Sequence, residues 1–382
     1  MRWRRMAVAW MVLMCAAVWT CAAHAQQASR KIVVFDESFV NTPAKEALLQ
    51  QFGGVIVKHL HLLNGASVYL PPQAERALGR LSQVVRIDED IVVTASGKPA
   101  KPPSPSPAEV LPWGVDRIEA DLAWTTATGA GVRVGILDTG IDLDHPDLAA
   151  NVKGGINCIS PRKNADDDNG HGTHVAGIVA AVHNTIGVVG VAPEVSLYAV
   201  KVLAKNGTGF LSDIIEGLDW CVANGIRVAN MSFGSSVGNQ SFHDAISRAY
   251  NAGVVLVAAA GNESGPVSYP AKYPEVIAVS AVGRNADGSL SFASFSNFGP
   301  EIDLAAPGVS VFSTYRNGTY ATMSGTSMAA PHVTGVAALV LSAKGAMSPA
   351  ALEGWLKSTA EDLSLPPEQQ GAGLIRADAA VQ

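Results

Sequence analysis

Three stretches of the chain carry side chains that could act on one another. "VGILDTGI" puts Asp138 straight after a run of core residues, "DDDNGHGTHVAG" (166–177) puts His171 between two glycines at the mouth of a helix, and "GTSMAAPHVTG" (325–335) puts Ser327 at the head of the apolar run "VAALVLSA". A serine hydroxyl is a weak nucleophile at neutral pH and needs an adjacent base. Histidine is the base whose pKa suits that pH, and a buried aspartate can fix its tautomer and stabilise the imidazolium. Attack by such a serine on an amide builds an oxyanion, which requires donors already aimed at it. Two candidates are the side-chain amide of Asn262, in "VAAAGNES", and the backbone N–H of Ser327 at the positive end of its helix. Each residue alone has a plainer reading: Asp138 as a turn or cap residue, His171 as an incidental loop histidine, Ser327 as a helix N-cap. It is the combination that points to acyl transfer.

Residues so far apart in the chain need a scaffold. From about Glu109 onward the sequence alternates near-continuous apolar runs, "VRVGILDTG" (132–140), "SLYAVKVL" (196–203), "IRVANMSFG" (226–234), "GVVLVAAAGN" (253–262) and "EVIAVSAVG" (275–283), with helical stretches such as "FLSDIIEGLDWCVANG" and "SFHDAISRAYNAG" that end at Gly. Strands buried on both faces and separated by helices predict a mainly parallel sheet in a three-layer α/β/α domain. In such sheets function collects at the carboxyl edge of the strands, where Asp138 and Asn262 fall. Pro331 is expected in or near the first turn of the Ser327 helix, where a missing N–H does least harm.

Residues 30–96 read as a separate small α+β domain of ferredoxin-like type. Its strands are "KIVVFDESF", "GGVIVKHLHLLNGASVYL" and "VVRIDEDIVV", and its helices, "TPAKEALLQQF" and "PPQAERALGRL", have Pro near their starts. "SGKPAKPPSPSPAEV" has the composition of an exposed, extended linker. Ahead of both, Arg2, Arg4 and Arg5 precede an apolar run that ends near Cys21, and "AHA" supplies small residues for cleavage after Ala25. The expected organisation is a signal peptide at 1–25, a small domain at 26–98, a linker at 99–108 and the main domain at 109–382, in a secreted chain, extracellular or periplasmic. A net charge of −6 and a pI near 5.8 give no basic footprint for nucleic acid or anionic membrane, and no membrane partner is expected of the mature form. Once Cys15 and Cys21 leave with the signal, Cys158 and Cys221 remain, bridged or merely buried.

"ILDTGID" with Asp138, "NGHGTHVAG" with His171, "AAAGN" with Asn262 and "GTSMAAPHVTG" with Ser327 resemble the four signature blocks of the subtilisin-like serine proteases, in that family's order and across essentially all of 109–382. The Asp, His, Ser order separates the chain from chymotrypsin-like enzymes and α/β-hydrolases. His171 separates it from the sedolisins, which use Glu as base.

The resemblance implies a serine endopeptidase of broad specificity with Asp138, His171 and Ser327 as the catalytic residues and Asn262 in the oxyanion hole. It implies that "KNGTGF" and "NMSFGSS" sandwich an extended substrate peptide, with Gly207, Gly209, Ser232 and Gly234 lining the cleft mainly through backbone, and that "ESGPVSYPAKYP", with Ser268 and with Glu263 at the rim, walls the pocket for the residue before the scissile bond. It implies a structural Ca²⁺ held by the side chains of Asp147 and Asn184 and the carbonyls of Val182, Ile186 and Val188, with Glu109 nearby. A polar hairpin without metal is the plainer alternative. The acidic run Asp166–Asp167–Asp168 is expected to be solvated. By the same resemblance the small domain is a propeptide of inhibitor-I9 type, a folding chaperone and transient inhibitor whose tail "EDIVVTASG" enters the cleft and is cut by Ser327 between about Thr94 and Ala108, in a monomer that acts on proteins and peptides. The alternative from another class is a catalytically idle binding or inhibitory protein that keeps the fold.

Overall fold

The computed structural model describes residues 28–95, 97–99 and 104–382; the segment 1–25, expected from sequence to be a signal peptide, lies outside the described residues. Contacts divide the chain into two units, one comprising residues up to 59 with 64–89, the other residues 60–63 with 90–382. The segment 90–98, assigned from sequence to the small domain, packs with the larger unit.

The smaller unit runs β1 (Ser29–Phe35), α1 (Thr42–Gln51), β2 (Val55–Leu60), β3 (Gly65–Leu70), α2 (Pro72–Leu78) and β4 (Val84–Glu89), with sheet order β2-β3-β1-β4. This is the split βαβ arrangement. The two prolines sit where the sequence reading puts them: Pro43 in the first turn of α1, behind an Asn41 side chain that accepts the Ala44 N–H at 2.9 Å, and Pro72 as the first residue of α2. Alternate residues Val33, Phe35, Ala66, Val68 and Leu70 meet Leu49 and Leu78 from the helices in one core.

The larger unit begins with β5 (Val92–Ala95) and β6 (Lys98–Pro99). It continues through β7 (Arg133–Asp138), β8 (Val152–Asn157), α3 (His171–Ala180), β9 (Ser196–Lys201), β10 (Thr208–Phe210), α4 (Leu211–Ala223), β11 (Val228–Met231), β12 (Phe233–Gly234), α5 (Gln240–Asn251), β13 (Val255–Ala259), β14 (Val276–Arg284), β15 (Leu290–Phe292), β16 (Leu304–Pro307), β17 (Val311–Tyr315), β18 (Thr319–Ser324) and α6 (Thr326–Lys344). The main sheet has the order β8-β9-β7-β11-β13-β14-β15, with β16 also on β14; its pairs are parallel except β14 with β15. The apolar runs therefore become interior parallel strands, and Val134, Ile136, Val228, Val255 and Val257 are all buried. Burial of each such side chain contributes about 1.5–3 kcal/mol.

Helix α6 is the spine of this unit. Among the described residues it is the one helix long and apolar enough to cross a membrane, and 89% of its apolar window is buried inside the protein, so it is a core helix. Pro331 stands in its second turn, beyond the first-turn position expected from sequence. A proline there cannot donate to the Ser327 carbonyl four residues earlier. That carbonyl instead accepts the Ser232 hydroxyl at 3.0 Å. Cys158 and Cys221 are both buried and are not bridged to each other, and burial pushes the Cys221 thiol up from its ordinary pKa.

Candidate active site

Strand β7 ends at Asp138, α3 begins at His171 and α6 opens one residue before Ser327, so the sheet's carboxyl edge gathers all three. Asp138 and Ser327 are fully buried and His171 nearly so. The His171 ring donates from Nδ1 to both Asp138 oxygens, at 2.8 and 2.9 Å, and Asp138 Oδ1 also accepts the Thr139 N–H at 2.7 Å. The carboxylate thus fixes the imidazole tautomer and leaves Nε2 facing the cleft. The glycines beside His171 are required by close approach. Gly170 has φ +112° with the Tyr315 ring against it, and a Cβ on Gly172 would stand 2.1 Å from the Gly140 carbonyl oxygen.

Asp167 is the buried support of this corner. It accepts from the Thr139 hydroxyl, the backbone N–H groups of Asn169, Gly170 and Thr173, and the Thr173 hydroxyl, all between 2.6 and 3.0 Å. The expectation of a solvated acidic run therefore fails at Asp167, whose donors recover the cost of burying it. Asp168 pairs with Lys201 at 2.7 Å, and Asp166 is exposed.

Ser327 is clasped rather than loose. Its hydroxyl donates to the Ser232 carbonyl at 3.0 Å while the Ser232 hydroxyl donates back to the Ser327 carbonyl. Asn230 Nδ2 donates to the Ser232 hydroxyl at 2.8 Å, and Thr334 on α6 donates to Asn230 Oδ1 at 3.0 Å, closing a lattice between β11 and the helix. Asn262 is oriented by its oxygen: Oδ1 accepts the Thr326 N–H at 2.8 Å and the Thr326 hydroxyl at 3.0 Å. With the oxygen committed to Thr326, Nδ2 is turned to the other side as a donor.

A cleft runs past these groups, and a strand of the chain itself lies in it. β5 is sandwiched antiparallel between β10 and β12, with Val93 opposite Gly209 and Thr94 opposite both Thr208 and Gly234. The Ala95 N–H donates to the Gly207 carbonyl at 2.8 Å. Gly207, Gly209 and Gly234 pair with this strand through their backbone, whereas Ser232 also bonds through its side chain. Asp90, just before β5, accepts from the Ser212 N–H and hydroxyl at the start of α4. Beside the strand opens a pocket of about 1130 Å³ whose walls include Gly234, Asn262, Glu263, Ser268, Tyr269 and Asn297. The Glu263 carboxylate is held by its neighbour's N–H, from Asn262, and by Asn297 Nδ2, both at 2.9 Å; Asn297 also donates to the Ser268 hydroxyl at 3.2 Å. Thr326 and Asn297 were not singled out from sequence, and Asp167 was read only as part of a solvated acidic run. Asn297 lies in "SFASFSNFG", where nothing in the pattern marks it, while Asp167 stands four residues ahead of the helix that begins at His171.

Of the proposed cation ligands, the side chains of Asp147 and Asn184 meet. Asp147 is buried, accepts the Val188 N–H at 2.9 Å, the Asn184 amide at 2.7 Å and the Tyr320 hydroxyl at 3.3 Å, and burial holds its pKa above the ordinary carboxylate value. Glu109 Oε2 accepts the Asn184 N–H at 2.5 Å. The Asn184 side chain turns its Nδ2 to Asp147, while its Oδ1 accepts the Ile186 N–H at 2.7 Å, so its donor end and not its oxygen faces the carboxylate. Among the described residues no group of three or more His, Cys, Asp or Glu side chains could hold a metal, so any such site depends on carbonyl and amide oxygens.

Comparison with known proteins places this geometry. Residues 129–373 match the model of the subtilase family. The M-protease of Shouchella clausii (strain KSM-K16) is 44% identical over 318 residues, 83% of this chain and 79% of its own. Subtilisin DY of Bacillus licheniformis is 47% identical over 281 residues, 72% of this chain and 100% of its own. Subtilisin E of Bacillus subtilis (strain 168) is 40% identical over 352 residues, 90% of this chain and 88% of its own.

Proposed function

The chain belongs to the subtilase family and is a serine-type endopeptidase, a hydrolase, and from that premise we propose that Ser327 is its nucleophile, His171 its general base and acid, Asp138 the carboxylate that orients and charges the base, and Asn262 the oxyanion donor. The observation that carries the assignment is the two-oxygen contact of Asp138 with His171 Nδ1 at the mouth of a cleft already filled by an extended strand. A substrate enters as β5 does, pairing with β10 and β12 through backbone groups, which gives broad sequence tolerance. His171 Nε2 takes the Ser327 proton as the hydroxyl leaves the Ser232 carbonyl and attacks the peptide carbonyl. The oxyanion is received by Asn262 Nδ2–H and the Ser327 N–H. His171 then returns the proton to the leaving amine, and water, activated the same way, frees the acyl group from Ser327.

The first substrate in this reading is the chain itself. Counting from Ala95, whose N–H is held by Gly207, the next bond but one reaches Gly97, and a Cβ on Gly97 would stand 3.2 Å from His171 Nε2. In this reading the cut falls at the Ser96–Gly97 bond, within the window 94–108, of which residues 96 and 100–103 lie outside the described residues. The small unit is then a propeptide that remains as a transient inhibitor until degraded, the enzyme is exported by its first 25 residues, and it works as a monomer on proteins and peptides. A Ca²⁺ bound by the side chains of Asp147 and Asn184 and the carbonyls of Val182, Ile186 and Val188, with Glu109 at its edge, would neutralise a buried carboxylate and stiffen that loop. Ser327→Ala tests the core of the reading. The variant is expected to accumulate as unprocessed precursor without casein hydrolysis, and normal maturation of the variant would overturn the self-cleavage assignment and favour an idle fold or another protease.

A further inference from the structure

The loop 260–268 leaves the carboxyl end of β13, carries Asn262 and forms one wall of the pocket. Its ends are closed by the Ser268 N–H, which donates to the Ala260 carbonyl at 2.9 Å, but its other backbone groups must be met from outside it. The segment 294–298 meets several of them. The Asn297 and Phe298 N–H groups donate to the carbonyls of Gly261 and Gly265 at 2.9 and 3.0 Å, and the Ser264 N–H donates to the Phe295 carbonyl at 3.0 Å. The Asn297 side chain, 1% exposed, lies inside the loop. Its Oδ1 accepts the N–H groups of Glu263 and Gly265 at 2.9 and 3.1 Å. Its Nδ2 donates to the Ala260 carbonyl at 3.1 Å, the Glu263 carboxylate at 2.9 Å and the Ser268 hydroxyl at 3.2 Å. Two N–H groups on one side and three oxygens on the other fix which way the amide faces, and a carboxylate or a hydrocarbon in its place would leave partners unmet. Gly261 is fitted to it: φ there is +111°, and a Cβ would stand 2.2 Å from Asn297 Nδ2.

Glu263 Oε2 accepts both the Asn297 Nδ2–H and the Asn262 N–H, each at 2.9 Å. One carboxylate oxygen therefore joins the buried amide to the backbone of Asn262, while Thr326 holds the Asn262 side chain from the other side. Lys272, also on the pocket wall, pairs with Glu301 at 3.3 Å. We propose that Asn297 is a positioning residue for catalysis, which acts through the Glu263 carboxylate and the loop backbone to hold Asn262 where the oxyanion forms. The proposal rests on the reading that Asn262 is the oxyanion donor. Such a donor works best when it stands in place before charge develops, because nothing then has to reorganise during the reaction. Loosening Asn262 therefore costs the transition state more than the bound substrate, and the loss falls on kcat more than on KM.

The test uses the matured full chain, with kcat and KM for a peptide anilide measured between about pH 6 and about pH 9. Asn297→Asp keeps the shape and the acceptor for two N–H groups but sets a second carboxylate against Glu263 and the Ala260 carbonyl. Its kcat is expected to fall about tenfold below wild type at the alkaline end, with KM changed by less than about threefold. The ratio to wild type should climb toward one as pH falls and the two carboxylates come to share a proton; His171 titrates in both enzymes and cancels in the ratio. Adding Glu263→Gln, whose amide can donate to the new carboxylate, is expected to restore kcat to within about threefold of wild type at the alkaline end. In the Asn262→Ala background, Asn297→Asp should lower kcat by less than about twofold, because the donor it positions is gone. A wild-type kcat in Asn297→Asp at the alkaline end, or a tenfold loss that persists in Asn262→Ala, overturns the proposal whatever happens to Tm. If Asn297→Asp does not fold, Glu263→Ala, a change at an exposed side chain, carries the same test. A loss of kcat of about fivefold that vanishes in the Asn262→Ala background supports the role, and a wild-type kcat overturns it. An unchanged kcat in Asn262→Ala itself overturns the oxyanion assignment and this role with it, whereas the other failures leave that assignment standing.

Discussion

Asp138 and Asp142 lie four residues apart, one closing β7 and one in the loop after it, and both are buried. Asp138 meets the His171 ring with both oxygens, a partner that can become a cation. Asp142 faces its own kind: Asp144 and Asp166 share a pocket of about 440 Å³ with it, and burial, with their charges, pushes its pKa up to about 6 although the Gly318 N–H donates to it at 2.9 Å. The two differ in what receives the charge and hardly at all in depth. A buried carboxylate is useful where a cationic partner arises during the reaction, and a liability where the neighbours are also acidic.

Substitution separates the two carboxylates. Asp138→Asn preserves shape but cannot stabilise an imidazolium, so kcat is expected to fall about 10⁴-fold with KM little changed, the scale on which triad serine proteases lose a carboxylate; if Asp142→Asn costs as much, the distinction between the two carboxylates is wrong. Asn262→Ala removes a neutral donor from the same reaction and is expected to lower kcat by about 10²- to 10³-fold; a raised KM with unchanged kcat would contradict its role. Asp147 is the intermediate case, a buried carboxylate given neutral donors and, in the proposed reading, a bound cation. Chelation with EDTA is expected to lower the Tm of Ser327→Ala by several degrees and to have no effect once Asp147→Asn is added, and a wild-type melt unmoved by EDTA removes the cation from the account.

Asp142→Asn has the smallest expected effect and the opposite sign. An acid whose folded pKa is raised holds its proton up to about pH 6 in the native state but loses it near its ordinary value of 3.8 when unfolded. Stability therefore falls as pH rises through that window and stays lower above it. Removing the charge should raise stability at pH 8 by about 1 kcal/mol, less than the full shift implies because Asp144 and Asp166 are solvent-screened, and should do nothing at pH 3. Equal melting curves at both pH values would show that the three carboxylates do not interact as described.

The parts of this arrangement that were legible in the sequence are those in which chemistry and burial share one run of residues. Asp138, Asn262 and Ser327 each interrupt or adjoin an apolar stretch, and a polar residue inside a core pattern needs a reason. The alternation of strand and helix sufficed for the parallel sheet because both faces of each strand are buried. Supporting contacts were less visible. Thr326, which turns Asn262, is read from sequence only as a neighbour of Ser327, and Asn297 reaches Glu263 and Ser268 across a loop whose closure no local pattern encodes. Asp167 was misread because an acidic run is ordinarily solvated, and here the middle residue turns inward under the helix that carries His171. Residues 90–95, expected to run from the small domain into the cleft, follow the covalent order of the small domain and the contacts of the large one.

The reciprocal bonds between Ser232 and Ser327 have a consequence for anyone who wishes to redesign this protein. Because Pro331 has no N–H to offer, the Ser327 carbonyl depends on a hydroxyl from the cleft wall, and the Ser327 hydroxyl rests on that wall's carbonyl. Wall and nucleophile therefore cannot be edited as independent modules. Enlarging the cleft through Ser232→Ala strands a buried acceptor, at a cost of about 1–3 kcal/mol, in the same turn that aims the attacking oxygen. A library that varies Ser232 for selectivity also samples the geometry of Ser327, and Pro331 is the position to vary with it.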